Sequence, residues 1–279
     1  MNFIDTHQHL IYRARFGYGW TNDIPALACG DFTRRDYSSL TRDAGIGGTI
    51  FMESGVDDAD YKAEARFIAG RVGRHGLLGQ IASCRPEDDR DFDPWLEECT
   101  ELNVVGFRRI LHVMPDDLSR SDMFRANLRK IGRAGLPFDL CLLARQLPIG
   151  AELAAACDRT VMVLDHCGVP DIAGGGFEEW STGVKALSAL PNVKVKLSGI
   201  TAYCAPGTAN LETLEPWVNH IIECFGPDRI VWGGDWPVVN LGSGLPEWIR
   251  LTRRLISGLS ADEQSLIAAG NARAIYRLS

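Results

Sequence analysis

Three short stretches of the 279-residue chain carry the groups best suited to chemistry. They are Asp5-Thr6-His7-Gln8-His9, Leu164-Asp165-His166-Cys167-Gly168 and Trp232-Gly233-Gly234-Asp235-Trp236-Pro237. Alternate side chains of a strand share a face. His7 and His9 therefore point the same way, about 7 Å apart, and can both reach one divalent cation. His166 and Asp235 would complete a set of three imidazoles and one carboxylate, which suits a transition ion, most often zinc. A catalytic zinc keeps one position open for water and lowers the pKa of that water to roughly 7. Asp235 can ligate, accept the proton of that water, or do both in turn. Taken singly, each motif has a plainer explanation: two polar residues at a strand end, a satisfied core histidine, a turn aspartate. Their joint placement after apolar runs favours a common site.

The elements that must position these groups are short β-rich runs recurring every 25 to 35 residues or so. They lie at 3–7, 48–52, 77–82, 104–108, 137–142, 161–165, 193–197 and 229–232. Segments with helical spacing lie between most of them. Asp57 is positioned to cap a helix over 59–74, and Ser121 one over 122–134 that Gly135 would stop. Ser260-Ala261-Asp262-Glu263 matches a capping box opening the last long helix. Strands alternating with helices imply parallel pairing, and eight of them in this length imply a single α/β domain over 1–279, a closed (β/α)8 barrel. An open doubly wound sheet is disfavoured, because no G-x-G-x-x-G follows the first strand.

Chemistry in such a barrel sits at the C-terminal ends of the strands. The ends carry His7 and His9, Glu53 and Ser54, Arg108 and Arg109 with His112 beyond, Asp165 and His166, Lys196 and Ser198, and Asp235. Arg108 and Arg109 are adjacent, so only one can face the interior; Arg108 is favoured, with Arg109 forming an ion pair among the outer helices. Lys196 and Ser198 share a face and read as substrate contacts, unless the lysine stem packs and its amine snorkels outward. The loop 10–31 lacks periodicity and holds Tyr12, Arg13, Arg15, Phe16, Tyr18 and Trp20, which suggests a substrate wall. The glycine-rich stretch 169–176 reads as a mobile rim or a turn.

Composition excludes several function classes. The chain is 46% hydrophobic and 23% charged, and its net charge of -7 argues against a nucleic-acid or anionic-membrane partner. No apolar run approaches the roughly 18 residues of a spanning helix. The first strand begins at Phe3, leaving no room for a signal peptide. The eight scattered cysteines form no C-x-x-C pair and read as reduced, cytoplasmic and mostly core-filling. A homo-oligomer is compatible with all of this.

The three motifs, with the close Gly270-Asn271-Ala272-Arg273-Ala274-Ile275-Tyr276-Arg277, resemble the amidohydrolase superfamily in the branch termed amidohydrolase family 2. The likeness spans nearly the whole chain. It implies His7, His9, His166 and Asp235 as ligands of one divalent metal, with Asp235, His166 and Arg108 catalytic. Binuclear members add a lysine or carboxylate from strand 4 and a histidine from strand 5. Here strand 4 offers arginines and strand 5 no histidine, so one metal is the most the sequence supports. Some relatives are similar to lactonases that work without metal, with arginines polarising the carbonyl. Within the branch the chain looks most like sugar lactonases of the L-fuconolactonase and L-rhamnonolactonase kind, which implies a small-molecule sugar lactone as substrate. Trp20, Glu53, Arg108, His112 and Trp236 would meet its hydroxyls and ring faces, with Glu53 either an extra ligand or a hydroxyl contact. The alternative is a metal-dependent non-oxidative decarboxylase of an aromatic or unsaturated acid, for which Arg13, Arg15, Arg108 and His112 would hold a carboxylate.

Overall fold

In the computed structural model, which describes residues 1–278, eight parallel strands pair in chain order. They are β1 (Phe3–Gln8), β2 (Ile46–Met52), β3 (Leu77–Ser83), β4 (Val104–Ile110), β5 (Phe138–Cys141), β6 (Met162–Leu164), β7 (Val193–Ser198) and β8 (Ile230–Gly233). Helices lie between them, so the architecture is the expected (β/α)8 barrel. The sheet is brought round on itself where β8 returns to β1. Gln8 pairs with Trp236 in a parallel bridge, the Asp235 N–H donates to the His7 carbonyl (2.8 Å), and the Thr6 hydroxyl donates to the Trp232 carbonyl (2.7 Å).

The strands read as apolar runs because both faces are covered. On the outer face Trp95, Phe124, Trp180, Trp217 and Trp248 from the helices pack on the sheet. A second cluster joins Ile4, Ile50, Met52, Ile81, Val163 and Val231 to Ala272 and Tyr276 near the C-terminus. No helix among the described residues is long and apolar enough to cross a membrane.

The expected caps hold at two places of three. The Ser121 hydroxyl accepts from the Phe124 N–H (3.2 Å) at the head of helix Asp122–Arg133. Ser260 and Glu263 form a reciprocal capping box; the helix they open, Ala261–Ser265, runs through a π-helical turn, Leu266–Gly270, into Asn271–Ile275. Asp57 caps no helix. Its carboxylate instead accepts from the Gly19 N–H (3.0 Å) and pins the long first loop, so the following helix begins later, at Tyr61, and ends at Ala69.

Candidate active site at the C-terminal mouth

The site is assembled by two departures from regular strand geometry. Asp235 follows β8 in a left-handed conformation (φ 55), as does His166 (φ 51) after β6. Such backbone is uncommon outside glycine and concentrates at functional sites. Close approach to Asp235 is possible because residue 199 is glycine: a Cβ there would lie 2.1 Å from Asp235 Oδ2. Gly234 performs a similar service for Asp5, since a Cβ would meet that carboxylate at 2.5 Å. The Asp5 side chain thereby accepts from the N–H groups of Gly234 (2.7 Å) and His7 (2.9 Å) and from the Tyr37 hydroxyl (2.6 Å). Asp5 is a clasp between β1 and the turn after β8, which accounts for an acidic residue in the first motif and a glycine in the third meeting in space.

Asp235 sits among the three imidazoles. Its Oδ1 is 3.5 Å from His9 Nε2 and 3.8 Å from His7 Nε2, and its Oδ2 is 3.6 Å from His166 Nδ1. Oδ2 is buried with no hydrogen-bond partner. The donor atoms form two overlapping sets, His7 with His9 and Asp235, and His7 with Asp165 and His166. The four expected ligands are thus brought together, but His166 faces the other oxygen of Asp235 and does not join the first set.

The first set fits one divalent ion. Four ligands at about 2.1 Å in a tetrahedron lie about 3.4 Å apart, close to the spacing of these donors. His9 is oriented to ligate: its Nδ1 lies 3.2 Å from the Met52 carbonyl, which leaves Nε2 as the free nitrogen. Burial holds His7 well below the usual imidazole pKa, with the Asp165 charge opposing, and holds His166 down against Asp235. Both are neutral near pH 7, the form that ligates.

Arg108 faces inward, as expected. Its Nε donates to Glu53 Oε1 (2.6 Å), Nη2 donates to the Glu53 carbonyl (2.8 Å), and Nη1 lies 3.3 Å from His7 Nε2 and 3.4 Å from Asp165 Oδ2. Burial works against the guanidinium charge, but Glu53 outweighs it and the pKa rises. Glu53 is held below its usual value by the same pair, against desolvation, and Gly55 N–H donates to its second oxygen (2.9 Å).

Sequence reasoning missed the layer beneath. Lys196 neither snorkels outward nor borders the cavity as a substrate contact would. It is fully buried and donates to Asp139, to Asp165 (3.1 Å) and to the Thr6 carbonyl (3.2 Å), with His7 Nδ1 at 3.2 Å. Tyr276 adds its hydroxyl to Asp139 (3.2 Å). Burial pushes Asp139 up to about 7 despite Lys196, whereas the cations around Asp165 hold it well below the carboxylate range against desolvation. Behind Glu53 lies Glu64, buried, accepting from the Ser54 N–H at 3.2 Å. Burial and then the Glu53 charge push its pKa well up, toward the protonated form. Folding therefore binds a proton above about pH 4.3, where an unfolded glutamate ionises, and stability falls there by about 1.4 kcal/mol per pH unit up to the native pKa. Glu64→Gln mimics the protonated form. Its melting temperature relative to wild type should rise between pH 5 and pH 8; an offset that does not change with pH would contradict a neutral Glu64.

Above this floor opens a cavity of about 460 Å³ bordered by His9, Trp20, Glu53, Arg108, His112, His166 and Asp235, among others. His7 lies below it, fully buried. His112 is held down to about 4, first by burial and then by Arg108, and its Nδ1 is 3.1 Å from Cys141 Sγ, a neighbour the sequence did not single out. Trp236 requires correction as a substrate contact. Its ring is buried against Phe32 (5.5 Å) and Tyr37 (5.7 Å) and does not border the cavity: Val231 packs in the inner cluster and Trp232 in the outer one, so the period of two that brings Asp235 inward turns Trp236 outward. The loop 10–31 is likewise mostly packing. Tyr12 and Phe16 stack on Phe67, Arg15 lies over the same ring, and Arg13 donates to the Gly30 carbonyl (2.9 Å). Trp20, anchored by its indole N–H to the Ser54 carbonyl (3.0 Å), and Ile24 are the members that reach the cavity. Arg109 pairs with Glu87 (2.6 Å) as expected, yet also borders the cavity, as does Arg85, which the sequence reading passed over. The stretch 169–176 is a turn in which the Gly174 N–H donates to Asp171 (2.9 Å).

With this geometry in hand, the amidohydrolase family model matches residues 4–278. The chain belongs to the amidohydrolase family. The amidohydrolase is 29% identical over 287 residues to an L-fucono-1,5-lactonase of Burkholderia ambifaria, covering 99% of this chain and 95% of that one. It is 33% identical over 257 residues to a 2-pyrone-4,6-dicarboxylate hydrolase of Comamonas testosteroni, covering 88% and 79%. Its structure is similar to that of an amidohydrolase from Burkholderia multivorans with bound zinc, with a TM-score of 0.91 and 25% identity over the full length of both chains. That neighbour and the His/Asp donor set of this amidohydrolase support a divalent metal.

Proposed function

We propose that this amidohydrolase is a lactonase that opens a sugar lactone, such as L-fuconolactone, to the open-chain sugar acid. The observation that carries the reading is a buried carboxylate, Asp235, with one unpartnered oxygen at the floor of a cavity whose cations are already neutralised. Arg85 pairs with Asp58 (2.7 Å), Arg109 with Glu87 and Arg108 with Glu53, while His112 is uncharged. A substrate carboxylate would find no unpaired cation among these described groups; a neutral cyclic ester needs none. Arg13 and Arg15 turn away from the cavity, which removes two of the groups a decarboxylase reading required. The fuconolactonase and pyrone hydrolase relatives support the same reaction class, since a 2-pyrone is itself a cyclic ester.

In this reading Asp235 Oδ2 accepts the proton of the attacking water as the new C–O bond forms at the lactone carbonyl. Arg108 and His166 face the oxygen on which charge develops. Collapse of the tetrahedral intermediate breaks the bond to the ring oxygen, and Asp235 returns the proton to it, so the net change is addition of one water. Zn²⁺ is the favoured ion for His7, His9 and Asp235, with His166 alongside; when bound it supplies Lewis acidity and a lower water pKa. Glu53, His112 and Trp20 border the space of the ring. The test is a stereoisomer panel of aldonolactones followed by acid release, with and without a chelator. L-Fucono-1,5-lactone should be opened, more slowly after chelation and again at the full rate after Zn²⁺ is restored. A panel left intact, with carbon dioxide released from dihydroxybenzoates instead, would replace the lactonase by the decarboxylase.

A further inference from the structure

The polarity of the cavity is divided by depth. Its floor holds the buried groups His9, Glu53, Arg108, His166 and Asp235. Its mouth holds Trp20 (41% exposed), Val113 (71%) and Leu241 (42%), three of the seven large hydrophobic residues that are exposed among the described residues. They come from three separate connections, after β1, β4 and β8, so their meeting at one opening is a product of the fold and not of local sequence. An exposed apolar cluster continuous with a polar pocket marks a ligand surface.

Two arginines and the Trp20 indole near the same opening are spoken for. Arg85 donates to Asp58 and to the Ser83 hydroxyl (2.8 Å), Arg109 pairs with Glu87, and the Trp20 indole N–H is given to the Ser54 carbonyl. The large hydrophobic side chains that the cavity leaves exposed lie here, so an apolar group of a substrate finds its contact area at the mouth. We infer that this mouth is a subsite for an apolar substituent of the lactone, an alkyl chain on the ring carbon next to the ring oxygen, seated against Trp20, Val113 and Leu241. The inference rests on the lactonase reading and adds its substrate class: lactones with an apolar tail, opened to the corresponding hydroxy acids by addition of one water across the acyl–oxygen bond.

The test uses the intact wild-type chain with a series of δ-lactones bearing methyl, propyl and heptyl groups at that carbon, and L-fucono-1,5-lactone as the control. Acid release gives kcat/KM for each. The expected result is a rise of about two- to fourfold for each methylene up to the propyl member, since each buried CH₂ contributes about that factor. Val113→Gln and Leu241→Gln, both at exposed positions, should each lower the propyl-to-methyl ratio. A ratio of one or less in wild type, with L-fucono-1,5-lactone opened, would overturn the apolar subsite and leave the lactonase standing. Failure of every lactone, the control included, would overturn both.

Discussion

Asp235→Asn is expected to fold as wild type does and to lose at least about a hundredfold in kcat, the size typical of removing a positioned general base. The substitution is nearly isosteric. Asparagine accepts the left-handed backbone at this position, and the N–H bond to the His7 carbonyl is untouched. What disappears is the second carboxylate oxygen, the one that is buried beside His166 without a hydrogen-bond partner. An amide nitrogen there donates and cannot take a proton from water. Thermal unfolding together with kcat on an aldonolactone checks both halves. A variant within a fewfold of wild type would remove Asp235 from proton transfer.

Lys196→Met should produce the largest loss of stability. The ammonium is buried between Asp139 and Asp165 and also donates to the Thr6 carbonyl at the end of β1. A buried ion pair contributes little net stability compared with an apolar replacement of the whole pair, but removing one partner leaves charge stranded in low dielectric. The expected loss is about 3–5 kcal/mol, read from urea unfolding at pH 7. Adding Asp165→Asn to the Met variant removes the carboxylate that Lys196 helps keep ionised and should recover part of it. A single variant destabilised by less than about 1 kcal/mol would mean that water reaches this layer and screens it.

The barrel was legible because hydrophobic runs, helical spacing and turn residues all pointed to the same alternation. His7, His9 and Arg108 were legible because they lie on or next to strands, where a period of two holds. Trp236 was misplaced because its motif was read as a block: beside an inward Asp235 the period of two turns it outward, against Phe32 and Tyr37. Of the wall assigned to loop 10–31, Trp20 reaches the cavity and Tyr12, Phe16 and Arg15 do not: Phe67, which gathers those three, is supplied by a helix some fifty residues on, and spacing within the loop does not report it. Lys196 shows the same limit. Its partners come from β5 and the end of β6, and a lysine in a strand reads alike whether it meets solvent, substrate or two buried carboxylates. Asp165 stood in plain view within its motif, yet its role depends on Arg108 and Lys196, which converge on it only in the folded chain.

The most direct measurement is a crystal structure of the Asp235→Asn variant with L-fucono-1,5-lactone bound. The ring should occupy the cavity between Trp20 and His112, its carbonyl carbon turned down toward His166 and the substituted side chain at position 235, and its carbonyl oxygen within hydrogen-bond reach of Arg108. A lactone seated outside this cavity, or inside it with the carbonyl directed at Val113 and Leu241, would contradict the assignment of the three imidazoles and Asp235 as the hydrolytic centre.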